Sequence, residues 1–98
     1  ISKINTTMEE LEAYAIVKSI LRNTTDVNKI VYRDTESYLG ILYDDNNRKW
    51  ICRVHLNGGN KFITLPDENK KPVRYDIETL DDIYGHSQLI IESCKKYA

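Results

Sequence analysis

Three short runs rich in aromatic and β-branched residues, separated by two turn-forming segments, occupy the centre of the chain at residues 38–65. The first turn is the Asp- and Asn-rich segment 44–48, and the second contains Asn57, Gly58 and Gly59. Runs of this composition between Asn, Asp and Gly turns are typical of consecutive antiparallel strands. The segment therefore predicts a β-meander that the rest of the chain must cover or extend.

The middle run predicts how this sheet divides into two faces, because successive side chains of a strand point to opposite sides. Strict alternation makes one face apolar, with Trp50, Cys52, Val54 and Leu56. The opposite face receives Ile51, Arg53 and His55. We therefore expect helices to cover the Trp50 side and two potentially cationic side chains to lie on the other.

An amphipathic helix is predicted before the meander. Thr7 followed by Glu10 is a capping-box pattern, so this helix begins at about Met8 and ends near Arg22. Its apolar residues recur at helical spacing and form a core stripe of Ala13, Ile16, Val17, Ile20 and Leu21.

A second helix is predicted at the other end of the chain. Thr79 followed by Asp82 is a weaker N-cap signal. A single helix passing through Gly85 places one set of residues on the same side: Leu80, Ile83, Tyr84, Ser87, Ile91, Cys94 and Tyr97.

Two further strands, at 29–34 and 73–77, complete the order α-β-β-β-β-β-α, with the last strand at an edge. This order predicts an α+β fold: an antiparallel meander sheet of about five strands with the N- and C-terminal helices packed on one face. We expect residues 1–98 to form one domain. Because the chain begins with Ile1 and not Met, we expect it to be a piece of a longer protein.

The composition narrows the class of protein. The net charge is −1, and no apolar run is long enough to span a bilayer, so we expect no membrane association. Cys52 and Cys94 are expected to be buried thiols of a reduced, cytoplasmic protein, with a disulfide or a metal site as the alternatives. Cys52 and His55 are predicted on opposite faces, and no Cys/His pair has the close spacing of a zinc site, so no metal ligands are expected.

The charges are unevenly distributed along the chain. Residues 29–74 hold nine Lys and Arg against six acids, whereas the two helical ends hold five basic residues against nine acids. A basic sheet can follow a phosphate backbone and stack bases. The candidate nucleic-acid-binding residues are Lys49, Arg53, His55 and Lys61. The alternative is a solvated surface balanced by its own acids.

Several segments resemble a bacterial protein group described as type I restriction-enzyme or endonuclease-like. They are residues 8–22, 32–34, 44–49, 51–53 and 79–84. The resemblance extends over nearly the whole chain and is to the C-terminal domain of those proteins. It implies an upstream nuclease domain, similar to that of the R subunit, as a partner in the same chain.

The element order is also similar to the PD-(D/E)xK nuclease core, in which an Asp and a Glu hold Mg²⁺ and a Lys orients the attacking water. Aligned on this sequence, the Asp position falls near Gly40, and the Glu-x-Lys positions fall near Arg53 and His55. The helix Glu of that core has three candidates, Glu9, Glu10 and Glu12. The resemblance implies a degenerate nuclease fold without catalytic residues or a cofactor of its own, with Mg²⁺ expected only in the parent nuclease.

The leading functional hypothesis is a non-catalytic accessory domain of a restriction-endonuclease-like protein that binds DNA or positions the nuclease domain. The first alternative is a protein-interaction or homodimerisation module that pairs through the edge strand 73–77. A second alternative is a metal-dependent nuclease that uses Asp44, Asp45 and a helix Glu. Asp44 and Asp45 are otherwise interpreted as turn residues that cap backbone N–H groups.

Overall fold

The computed structural model describes residues 5–98. The helices are α1 (Met8–Leu21) and α2 (Ser87–Lys95), and the strands are β1 (Ile30–Asp34), β2 (Leu39–Tyr43), β3 (Trp50–His55), β4 (Phe62–Pro66) and β5 (Pro72–Asp76). The strands pair antiparallel in sequence order, so that β1 and β5 form the two edges. The predicted α+β meander with two terminal helices is therefore confirmed.

Helix α1 begins at the predicted capping box. The Thr7 hydroxyl accepts a hydrogen bond from the Glu10 N–H at 3.1 Å, and the Glu10 carboxylate accepts one from the Thr7 N–H at 3.0 Å. Four residues of the predicted stripe are buried, and Ile20 is partly buried against them. The Tyr14 hydroxyl donates a hydrogen bond to the Ile30 carbonyl and so ties α1 to β1.

The hydrophobic core lies between the two helices and one face of the sheet. Helix α2 packs on β3 and β4, and α1 packs on α2. The sheet contributes to this core mainly through Leu39, Ile41, Ile51, Cys52, Val54 and Ile63. Cys52 and Cys94 are both buried there as free thiols. None of the helices in residues 5–98 is long and apolar enough to cross a membrane.

A β-bulge at the start of β3 reverses the predicted facing of its first two residues, whereas Cys52, Val54 and Leu56 lie in the core as predicted. Leu42 pairs with Trp50 but Ile41 pairs with Cys52, so Ile51 is an extra residue on β3. Ile51 is fully buried in the core, whereas Trp50 lies on the opposite face beneath Arg53. The prediction that Trp50 faces the helices and Ile51 faces away was wrong, because a bulge puts two residues opposite one and breaks the period of two.

The segment between β5 and α2 also differs from the prediction. Residues Leu80–His86 form a 3₁₀ helix that leads directly into α2, and Gly85 lies just before the junction. A 3₁₀ helix has three residues per turn, so its side chains do not stay in phase with those of an α-helix. Tyr84, predicted on the apolar stripe, is consequently 46% exposed, while Ile83 and Ile90 are buried.

Candidate nucleic-acid interface

Three arginines lie in one row across the face of the sheet that points away from the helices, which we call the open face. Cross-strand pairing runs from Arg33 on β1 through Gly40, Arg53 and Thr64 to Arg74 on β5. These three residues, Arg33, Arg53 and Arg74, are called the arginine row. They lie on alternate strands, with Gly40 between the first two and Thr64 between the last two. Since adjacent strands are about 4.8 Å apart, successive members start about 10 Å from each other.

Arg53 is held at the centre of this row by aromatic rings. Its guanidinium carbon lies 4.0 Å from the Trp50 ring centroid and 4.9 Å from that of Tyr38. These are cation–π distances, and they fix the guanidinium without neutralising it. Within residues 5–98 the guanidinium has no ion-pair partner, so its N–H donors remain available.

The same layer continues across β4 to β5. The His55 ring stacks on Phe62 with centroids 4.2 Å apart and an interplanar angle of 13°. The Arg74 guanidinium carbon lies 3.8 Å from the Phe62 centroid, and Tyr38 contacts the other side of His55 at 5.4 Å. Alternating aromatic and cationic groups therefore cover the open face from Trp50 to Arg74.

Two acids reach the ends of the arginine row. Arg33 donates two hydrogen bonds to the Asp45 carboxylate, at 2.7 and 2.9 Å, and these lower the pKa of Asp45. Arg74 donates to Asp76 at 2.7 Å. The four side chains of these two pairs are about half exposed or more, the least exposed being Asp45 at 49%. Exposed pairs of this kind contribute only about 0–1 kcal/mol, so an incoming phosphate can replace the carboxylates at little cost.

A pocket of about 110 Å³ opens between Arg33 and Arg53. Gly40 forms part of its lining, together with Trp50 and Asn47. Because glycine has no side chain, the two guanidinium groups flank a gap that no Cβ fills. The pocket is small, which suits a single anionic group better than a base.

His55 contributes to the open face as an aromatic ring and not as a cation. Its partial burial lowers the pKa of the imidazole from 6.5, and the charges of Arg53 and Arg74 lower it further. The imidazole is therefore neutral at pH 7. Its Nε2 atom lies 3.4 Å from the Thr64 hydroxyl, which keeps the ring in the stack.

The structure separates the four residues that the sequence suggested for nucleic-acid binding. Arg53 and His55 lie together on the open face, whereas the Lys61 ammonium group lies 2.8 Å from the Glu9 carboxylate of α1, on the helix side. Lys49 lies near the end of the sheet, 5.8 Å from the Tyr43 ring. The structure therefore brings Arg53 and His55 together and leaves Lys61 and Lys49 apart from them.

Sequence reasoning missed Arg33 and Arg74, although both belong to the arginine row. The signal that could have found them is the strand register, counted from each hairpin turn. This register places Arg33 opposite Gly40 and Arg74 opposite Thr64, and both Gly40 and Thr64 pair with Arg53.

Three of the carboxylates considered for metal chemistry are engaged elsewhere. Asp45 binds Arg33, Glu10 closes the capping box and Glu9 pairs with Lys61. In the described part of the chain, no group of three or more His, Cys, Asp and Glu side chains is placed to hold a metal ion.

Comparison of the chain with protein-family models, with curated proteins and with solved structures gives no match.

Proposed function

We propose that the open face binds the phosphate backbone of a nucleic acid, and that this chain is a non-catalytic accessory domain. The observation that carries the proposal is the state of Arg53. Its guanidinium is fixed over Trp50 and Tyr38 and has no acidic partner within residues 5–98. A guanidinium that is positioned but not neutralised is suited to donate paired hydrogen bonds to a phosphate.

The arrangement favours contacts to phosphates over base stacking. Arg53 covers Trp50, which is only 4% exposed, and Arg74 and His55 both lie against the Phe62 ring. These rings therefore cannot serve as free platforms for bases. The arginine row instead presents three arginines whose backbone positions are about 10 Å apart, so each is placed to contact a different phosphate.

The resemblance to restriction-enzyme C-terminal domains supports DNA as the nucleic acid and an upstream nuclease domain as the partner. In this proposal the domain adds affinity for DNA or orients the nuclease on it, and the cutting chemistry, with its Mg²⁺, belongs to the nuclease domain. The residues near the PD-(D/E)xK positions, Gly40, Arg53 and His55, lie on the open face. In this proposal they lie beside bound phosphates and not around a metal ion.

Fluorescence anisotropy with labelled single- and double-stranded oligonucleotides at several salt concentrations tests the proposal. We expect Arg53→Gln to weaken binding by about tenfold, since one charge-assisted hydrogen-bonding group is lost. The slope of log K against log salt should fall by roughly 0.7–0.9, the value for one phosphate contact. Lys61→Gln is the matched control, because it removes the same charge from the helix side.

Equal losses of affinity in Arg53→Gln and Lys61→Gln would show that binding depends only on net charge. Binding whose affinity does not change with salt would rule out the proposed phosphate contacts.

A second candidate function, homodimerisation, is favoured by strand β5. It is an edge of the sheet, and Val73 on it is 39% exposed. Light scattering separates the two functions: a monomer that binds DNA supports the open face, and a tight dimer indifferent to DNA supports edge pairing.

A further inference from the structure

A second cationic site lies at one end of the sheet, apart from the open face. The β2–β3 turn, the β4–β5 turn and the C-terminal residues surround a pocket of about 410 Å³. Its charged lining consists of the cations Arg48, Lys49, Lys70 and Lys96 and the acids Asp67 and Glu68. We call it the lysine pocket.

Two stacked tyrosines organise the cations around this pocket. The Tyr43 and Tyr97 rings lie 6.3 Å apart at an interplanar angle of 27°. The ammonium groups of Lys29 and Lys49 lie 5.9 and 5.8 Å from the Tyr43 ring, and that of Lys70 lies 5.5 Å from the Tyr97 ring. Three amines are thus gathered on one aromatic pair, two of them from the pocket lining (Lys49 and Lys70) and one, Lys29, beside it. Within residues 5–98 none of the three forms an ion pair.

Lys70 occupies a backbone position that favours glycine. Its φ of 63° is in the left-handed region, where glycine is favoured and a lysine is strained. The Lys70 ammonium group donates a 2.7 Å hydrogen bond to the Arg48 carbonyl, and so links the two turns across the pocket.

The acids in the lining do not balance these cations. The Asp67 side chain accepts hydrogen bonds from the N–H groups of Asn69 and Lys71, at 2.8 and 2.9 Å, so one of its oxygens is used within its own turn. The lining therefore keeps two more positive than negative side chains, an excess that an anion would offset.

We propose that the lysine pocket binds a polyphosphate group, either free or as part of a nucleoside triphosphate. Each ammonium group supplies three donors without a fixed direction, which suits a chain of phosphoryl oxygens. Four cations against two acids favour a ligand with several negative charges over a single phosphate. The ring faces of Tyr43 and Tyr97 are occupied by each other and by the amines, so a nucleobase gains little from this site.

The test is a titration of the ¹⁵N-labelled protein at low salt, followed by NMR, with sodium tripolyphosphate, ATP and adenosine as probes. We expect tripolyphosphate and ATP to shift the amides of the two turns with similar affinity and adenosine to have no effect. Lys70→Gly should weaken binding by about tenfold while keeping the turn, since glycine accepts its φ. Lys49→Gln should weaken it to a similar extent.

Two control variants separate this site from the open face. Lys61→Gln removes one charge at the other end of β4, and Arg53→Gln removes the central open-face cation. Tripolyphosphate binding that both controls retain and both pocket variants lose supports the lysine pocket, even if Arg53 proves irrelevant to DNA. Adenosine binding as strong as that of ATP, no saturable shift with tripolyphosphate, or equal losses in Lys61→Gln would each overturn it.

Discussion

Replacing Ile51 by alanine tests the reversal of alternation at the start of β3. Strict alternation leaves Ile51 on the open face, where truncation would change stability little. The structure instead buries its side chain completely, and Ser93 of α2 donates a 2.7 Å hydrogen bond to its carbonyl. The free energy of unfolding should therefore fall sharply in Ile51→Ala.

The size of this loss follows from the buried volume. An Ile→Ala change in a packed core costs about 2–5 kcal/mol, because the removed atoms leave a cavity that closes only partly. A loss of about 3 kcal/mol lowers the melting temperature of a domain of this length by roughly 12–24 °C. It is also a large part of a total stability of about 5–15 kcal/mol.

Urea unfolding followed by the fluorescence of the single tryptophan, Trp50, measures the loss. Val73→Ala is the control, since Val73 is an aliphatic strand residue that is 39% exposed at the β5 edge, and it should cost less than about 1 kcal/mol. The two variants should share the wild-type urea m-value. Equal losses for Ile51→Ala and Val73→Ala would refute the reasoning.

Four further predictions concern the core, the open face and α1. Burial, with the nearby Cys94 thiol, raises the pKa of Cys52 to about 12. At pH 8 a thiol reagent should therefore label Cys52 only as the protein unfolds. Rapid labelling of the folded protein would contradict this. Arg53→Gln should raise the pKa of His55 toward its ordinary value in an NMR titration. Because folding lowers the pKa of His55, the stabilising contribution of His55 is present above pH 6.5 and is lost as the pH falls through the lowered value. His55→Gln should therefore make the free energy of unfolding less sensitive to acid. An unchanged dependence of the unfolding free energy on pH would contradict this. Thr7→Ala should lower the free energy of unfolding by about 1 kcal/mol, because the N-cap of α1 is lost. Thermal unfolding followed by circular dichroism measures this, and an unchanged melting curve would argue against the cap.

The elements of this fold were predictable because their signals are local. Turn-forming Asn, Asp and Gly separate strand-forming runs, and the Thr7–Glu10 capping box marks the start of α1. Each signal depends on residues only a few positions apart, so the order of elements and the class of fold follow from the sequence.

The candidate site was only partly predictable because it depends on pairing between strands. Arg53 was found from the sequence, but its neighbours in the arginine row, Arg33 and Arg74, lie 20 residues before it and 21 residues after it. Lys61 has the right charge but lies on the helix side, where Glu9 neutralises it.

The sequence by itself determined the meander, the two helices and the excess of positive charge in the sheet region. Only the tertiary structure decided which side chains share a surface, since the bulge at Ile51 moves Trp50 beneath Arg53 and the strand register adds Arg33 and Arg74. The physical reason is that a strand's period of two fixes which side chains alternate, whereas one inserted residue and the register of the neighbouring strands fix which side chains meet.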